Sequence, residues 1–169
     1  YVGLESWSTD SDALELINIA AAEIGKDLTE DKIGRFRFLL SKGTSPKFAN
    51  EFSDLLKKYV SYQKDYLRDY QSNLENLRFA KEEERFLLLK QMQSTKQQLQ
   101  AKHFGSELAK KLFYRKNLTA NYFNQRGLIQ MDRSLDLEAK VYQLELLKKR
   151  YSAQLKTIRI KQDIRLKQD

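Results

Sequence analysis

Beyond Pro46 the chain contains no further proline, and apolar residues recur at helical spacing along most of the remaining length. In the front half of that stretch Phe48, Phe52, Leu55, Tyr59, Tyr62, Tyr66, Tyr70, Leu74 and Leu77 stand three or four positions apart, which traces one face of an α-helix. After Leu77 the stripe thins, and charged residues and glutamines take over. A chain patterned this way is expected to form long helices. A helix with one tyrosine-rich face and a wet remainder needs another surface to cover that face.

The same tension appears in the composition. Charged residues make up 32% of the 169 positions, and mean hydropathy is −0.68, so apolar side chains are thinly supplied for a compact globule of this length. They are too many for disorder, because the hydrophobic fraction is 41% with nineteen aromatics. Helices in an extended arrangement satisfy both facts. They bury less apolar surface per residue, and a bound protein would supply the missing stabilisation. There is no cysteine, which excludes disulfides, thiolate metal sites and a cysteine nucleophile. No transmembrane run or signal peptide is present. The sequence opens at Tyr1 without methionine, so an anchor or export signal upstream is expected to have been removed.

Residues 1–9 read as an extended arm whose single tryptophan, Trp7, would plug a partner pocket or dock on the first helix. That helix is expected to start near Ser11, with Asp10 or Ser11 as N-cap, to carry Leu14, Leu16, Ile17, Ala20, Ala21 and Ile24, and to end at Gly25. A second short helix follows Thr29, with Glu30 and Asp31 in its first turn, and stops before Gly43. The run 35–40 is short enough for a strand to compete. Ser45 as N-cap with Pro46 at the first helical position opens the long element. Unbroken to about Lys102, it would be about 85 Å long; breaks are expected at 71–73 or 94–95. Further helices are expected after Ser106 as N-cap and after a joint at Lys116-Asn117. A loop at 132–135 precedes a last helix capped by Asp136, and the basic C-terminal end is expected to fray.

Chemistry is scarce. His103 is the only histidine, and neither a triad partner nor a zinc-protease spacing surrounds it; it reads as a partly buried or interfacial side chain. Glu82, Glu83 and Glu84 occupy successive helical positions, so they fan outward as a solvated face. The glycines stand apart, at caps and in loops, with no phosphate-cradling pattern. The sequon Asn117-Leu118-Thr119 reads as chance. No enzyme activity, cofactor or metal is expected. The net charge of +8 would favour an acidic partner, nucleic acid or an anionic membrane. Acids are interspersed with the bases, however, and no recognition motif appears, so a solvated helix surface is the preferred reading and nucleic acid is not expected as a partner. Tyr59, Tyr62, Tyr66 and Tyr70 form the best binding signal, since tyrosine joins large apolar area to a hydroxyl that tolerates water. Packing on a neighbouring helix of the same chain is the alternative for each of them.

Residues 103–151 resemble the C-terminal part of the lipase chaperones, also called lipase-specific foldases. In that family a helix ending in Leu-Phe-Gly is followed by an Ala-Tyr-x-x-Tyr helix, an Asp-x-x-Leu-Ser loop and a helix rich in Glu, Lys and Ala. Phe104-Gly105 with Leu112-Phe113 match the first part, Ala120 and Tyr122 the second, and Asp132, Ser134, Leu135, Glu138 and Lys140 the third. Leu55 or Leu56 with Tyr59 and Tyr62 resembles the family's Leu-x-x-Tyr-x-x-Tyr helix. The signature R-x-x-F-D-Y-F/C-L-S-A-x-G-E is partly echoed by residues 36–43. Ile33 stands where arginine is usual, Arg37 replaces aspartate, Lys42 replaces alanine, the spacing to Gly43 is one residue short, and Tyr114 replaces a glycine. The resemblance implies a periplasmic protein, tethered to the inner membrane of a Gram-negative bacterium, that folds a secreted lipase before type II export. It also implies two small helical lobes joined by a helical stretch that embraces the client.

Sequence and resemblance together predict an all-α chain in an extended arrangement. Residues 1–44 would form an arm and small lobe, 45–102 a long helical arm, and 103–169 a C-terminal lobe with a basic tail. The function expected is a non-enzymatic steric chaperone holding one secreted hydrolase, a lipase first and a protease as the alternative, one to one, with membrane contact only through an upstream anchor. A coiled-coil adaptor is the rival reading. The residues expected to meet the partner are Trp7, Phe36, Phe38, Leu40, Ser41, Tyr59, Tyr62, Tyr66, Tyr70, Phe104, Leu112, Phe113 and Tyr122.

Overall fold

The computed structural model describes residues 11–25 and 29–165. The chain is all-α, with six helices and, among the described residues, no strand: α1 (Ser11–Ile24), α2 (Glu30–Gly43), α3 (Pro46–Phe79), α4 (Glu82–Phe104), α5 (Ser106–Met131) and α6 (Leu137–Arg165). Trp7 and Asp10 lie outside the described residues. The run 35–40 is helical, within α2, because its apolar residues are spent at helical rather than strand period. Ile33 is buried, and Phe36 and Leu40 pack against the core at steps of three and four.

Local chemistry sets most helix ends. Gly25 stops α1 with φ +82°, a left-handed position that glycine takes without a Cβ penalty. The Lys32 ammonium donates to the carbonyl of Ile24 at 3.2 Å, adding a cation where the α1 dipole is negative. Thr29 caps α2, its hydroxyl accepting from the Lys32 amide at 3.4 Å. Ser45 caps α3, accepting from the Phe48 amide at 3.1 Å. The carboxylate of Asp136 caps α6 by accepting from the Ala139 amide at 2.8 Å.

Three boundaries differ from expectation. The long element is interrupted at Ala80-Lys81, not at 71–73 or 94–95. There the Lys81 amide donates to the Glu84 carboxylate at 3.1 Å, half of a capping box with lysine in the cap position. No joint occurs at Lys116-Asn117. Asn117 accepts from the Gln93 amide at 3.2 Å, and Thr119 donates back to the Arg115 carbonyl at 3.0 Å, so the polar stretch continues as helix. Ser106 is the first residue of α5 rather than its cap. Gly105, at φ +78°, ends α4 and supplies the carbonyl that accepts from the Ala109 amide. Nor are all glycines at caps and loops: Gly34 and Gly127 lie inside α2 and α5.

The chain divides into two compact units, Tyr1–Gln71 with Lys96–Tyr114, and Ser72–Thr95 with Arg115–Asp169. Each is assembled from two separate stretches, where the sequence suggests three consecutive ones. In the first unit the reason is aromatic. Tyr62 packs against Phe104 and Phe113 with ring centroids 5.9 and 5.3 Å apart, and Phe104 meets Phe113 edge-on at 5.3 Å. That draws the end of α4 and the start of α5 onto α1–α3. Leu14, Ile17, Phe52, Leu55, Leu56, Tyr59, Val60, Leu112 and Phe113 belong to one continuous core there. In the second unit Met92, 8% exposed, is the single buried apolar side chain among the described residues.

Candidate partner-binding surfaces

The tyrosine stripe of α3 runs from inside to outside. Tyr59 and Tyr62 are 5% and 4% exposed, whereas Tyr66 is half-buried and Tyr70 is 38% exposed. Neighbouring rings are spaced 6.0, 6.1 and 6.2 Å apart, with Tyr62 and Tyr66 stacked. The Tyr59 hydroxyl donates to Asn18 of α1 and accepts from Gln63 at 3.2 Å. The Tyr62 hydroxyl accepts from the buried Gln100 amide at 3.4 Å. Burial pushes the Tyr62 phenol up to about 12, and it raises Tyr59 as well. Tyr59, Tyr62, Phe104, Leu112 and Phe113 are therefore core side chains of the first unit rather than partner contacts. The apolar sites they were expected to fill on another molecule are filled by each other. Tyr66 and Tyr70 keep open area, with the Lys96 ammonium 5.0 Å from the Tyr66 ring centre.

Beside this stripe Asp65 collects two cations and a histidine. Its carboxylate accepts from Lys102 and His103, each at 2.9 Å, and from Arg68 at 2.5 Å. The hydrogen bonds from Lys102 and His103 hold the acid down at about 2. His103 is thus a partly buried structural histidine whose ring also meets Tyr62 edge-on at 6.3 Å. No group of three or more metal-ligating side chains occurs among the described residues.

On α2, Phe36 and Leu40 lean on the core, and the half-buried Ser41 spends its hydroxyl on the Phe38 carbonyl at 2.8 Å. Phe38 and the neighbouring Leu39 are 60% and 65% exposed, and Lys42 lies over the Phe38 ring at 4.7 Å. Phe38 is the open side chain of the expected group, and Leu39, outside that group, is equally open.

In the second unit Tyr122 stacks on Tyr151 at 4.3 Å and 17°, so one of its faces is already used within the chain. The Tyr151 hydroxyl sits 3.1 Å from that of Thr119. The loop residues behind the resemblance build the turn: Asp132 accepts from the amide and hydroxyl of Ser134 at 2.9 and 2.6 Å, and Lys140 donates to the Gln130 carbonyl at 3.0 Å. Around this frame the apolar side chains face water. Phe79 is 82% exposed, Leu137 78%, Tyr142 63%, Leu87 61% and Phe123 57%. The signal for Leu87 was present in the sequence, because four consecutive apolar residues, 86–89, cannot all lie on one helix face. A groove of about 610 Å³ opens at the α3–α4 junction, lined by Glu75, Asn76, Phe79, Ala80, Glu84, Leu87, Leu88 and Gln91. Among the described residues no helix is long and apolar enough to cross a membrane. Comparison with family models, curated proteins and solved structures found no match for this chain.

Proposed function

We propose that this protein is a non-enzymatic steric chaperone that holds a secreted hydrolase, a lipase first, through the open apolar faces of its helices. The observation that carries the reading is the contrast in burial between the units. Among the described residues sixteen apolar side chains are buried in the first and one in the second, while each unit exposes seven large apolar side chains, so in the second the exposed ones stand over almost no core. Helices so poorly covered gain stability by mass action when a folded partner lies on them. The resemblance of residues 103–151 to the lipase foldases supplies the kind of client and, with it, a periplasmic setting. The buried tyrosines narrow the partner surface to Phe38, Tyr66, Tyr70 and the exposed side chains of the second unit.

The test is co-expression with a secreted hydrolase from the same genome, followed by pull-down and recovery of hydrolase activity. Recovery that depends on the chain supports the proposal. Equal folding of the hydrolase with and without it defeats the proposal. A stable self-associated rod that captures no hydrolase would favour the adaptor reading instead.

A further inference from the structure

We infer that the groove at the α3–α4 junction takes an apolar segment of a partner protein that also carries lysine or arginine. This deepens the proposed function and rests on it only for the identity of the partner. The groove is framed by the last turns of α3 and the first turns of α4, either side of Ala80-Lys81. Its apolar part is Phe79, Leu87 and Leu88, the first two 82% and 61% exposed. Burying rings and leucines of this kind is what holds most peptide-in-groove complexes together.

Charge decides between occupants. The chain carries +8 overall, yet the groove is lined by two carboxylates, Glu75 and Glu84, and by no base. Elsewhere this chain spends its bases on its acids: Lys47 on Glu51, Lys57 on Glu30, Lys110 on Glu107, and Arg68 and Lys102 on Asp65. Arg78 follows Glu75 by three positions, within ordinary pairing reach on a helix, whereas Arg85, next to Glu84, points to a different face. Among the described residues neither forms an ion pair with Glu75 or Glu84. One Glu84 oxygen caps α4, and Glu75 has its whole carboxylate available. Arg78, Lys81 and Arg85 flank the junction, but the charges that line the groove itself are carboxylates, and carboxylates beside an apolar floor favour a cationic, apolar segment over an anionic one despite the net charge of the molecule.

The experiment uses the full chain and a synthetic amphipathic helical peptide of leucine and lysine, set against the same peptide with glutamate for lysine, read by fluorescence anisotropy. Tighter binding of the lysine peptide, by roughly tenfold or more, is expected. Leu87→Ser should weaken it roughly tenfold, and Glu75→Lys should weaken it several-fold, more at low salt than at high. Glu107→Lys makes the same change in net charge away from the groove and should leave binding within about twofold. Equal affinity for the two peptides, an equal effect of Glu107→Lys and Glu75→Lys, or preference for anionic phospholipid vesicles over the lysine peptide would overturn the inference. Unaltered helicity of each variant by circular dichroism keeps loss of binding separate from unfolding; these side chains are exposed, so their replacement removes little packing. Capture of the hydrolase unaffected by Leu87→Ser and Glu75→Lys would sink the groove and leave the chaperone reading standing. A groove that selects the lysine peptide in a chain that rescues no hydrolase would do the reverse.

Discussion

At the scale of single residues, four tyrosines with one sequence spacing have different roles. Tyr62 meets Phe104, Phe113 and Gln100, all about forty or more positions away, and Tyr70 meets only its stripe neighbour among the ring contacts. Tyr62→Ala should therefore cost about 3–5 kcal/mol, and Tyr70→Ala no more than about 0.5 kcal/mol, read as shifts of the urea midpoint. Equal shifts would mean that the core does not end between these two rings. Asp65 makes a prediction with a defined sign. Its carboxyl titrates near 2 in the folded chain and near 4 when unfolded, so the unfolded chain binds the proton first as acid is added. The stability it contributes is complete above about pH 4 and is lost as pH falls towards 2. Asp65→Asn should flatten that limb of the stability profile, measured by urea denaturation across the acid range, and a limb as steep as wild type would count against the cluster. The stripe was legible in the sequence because helical period is local. The point where it leaves the core was not, because that depends on rings brought in from residues 96–114.

At the scale of the helix, caps were legible and junctions less so. Thr29, Ser45 with Pro46, Gly25 and Asp136 announce themselves because each acts on backbone groups within one turn. The interruption at Ala80-Lys81 has no glycine, proline or short polar cap; its signal was Glu82-Glu83-Glu84, acids placed where a new helix dipole welcomes them, and read from sequence as a solvated face. Glycines inside helices need the same structural context. Gly34 has nothing within 4 Å of where a Cβ would stand, whereas at Gly127 a Cβ would fall 2.0 Å from Cε1 of Phe86. Gly34→Ala should then stabilise the chain by roughly 0.5–1 kcal/mol through helix propensity alone. Gly127→Ala gains the same propensity but must expel a ring, with a net cost of about 1–3 kcal/mol. A double-mutant cycle with Phe86→Leu should return part of that loss. Additivity of the two changes would mean that the ring does not rest on Gly127.

At the scale of the molecule, all-α character followed from the absence of proline after Pro46 and from helical period along most of the length. The unequal distribution of the core did not follow. Both units contain apolar residues in comparable supply, but in the first they converge from α1, α2, α3, α4 and α5 on one aromatic cluster, whereas in the second they face several ways around their helices, leaving Phe123, Leu137, Val141 and Tyr142 in water. Isolated helices are marginal in water, and tertiary burial supplies most of their stability, so the two units should differ in local opening. Native-state amide exchange should show helical amides near Leu14–Ile17, Phe52–Tyr62 and Leu112–Phe113 exchanging only at the slow rate of global unfolding. Those of residues 115–131 and 137–151 should exchange at least roughly tenfold faster. Saturation with a hydrolase client that covers the second unit should slow the latter set selectively, since a partner that binds only the ordered helices removes their open states. Equal protection of both units in the free chain would show that the second is fully stabilised by its own contacts, including the Tyr122–Tyr151 stack and the Phe86–Gly127 contact, and its exposed leucines and rings would then no longer argue for a partner.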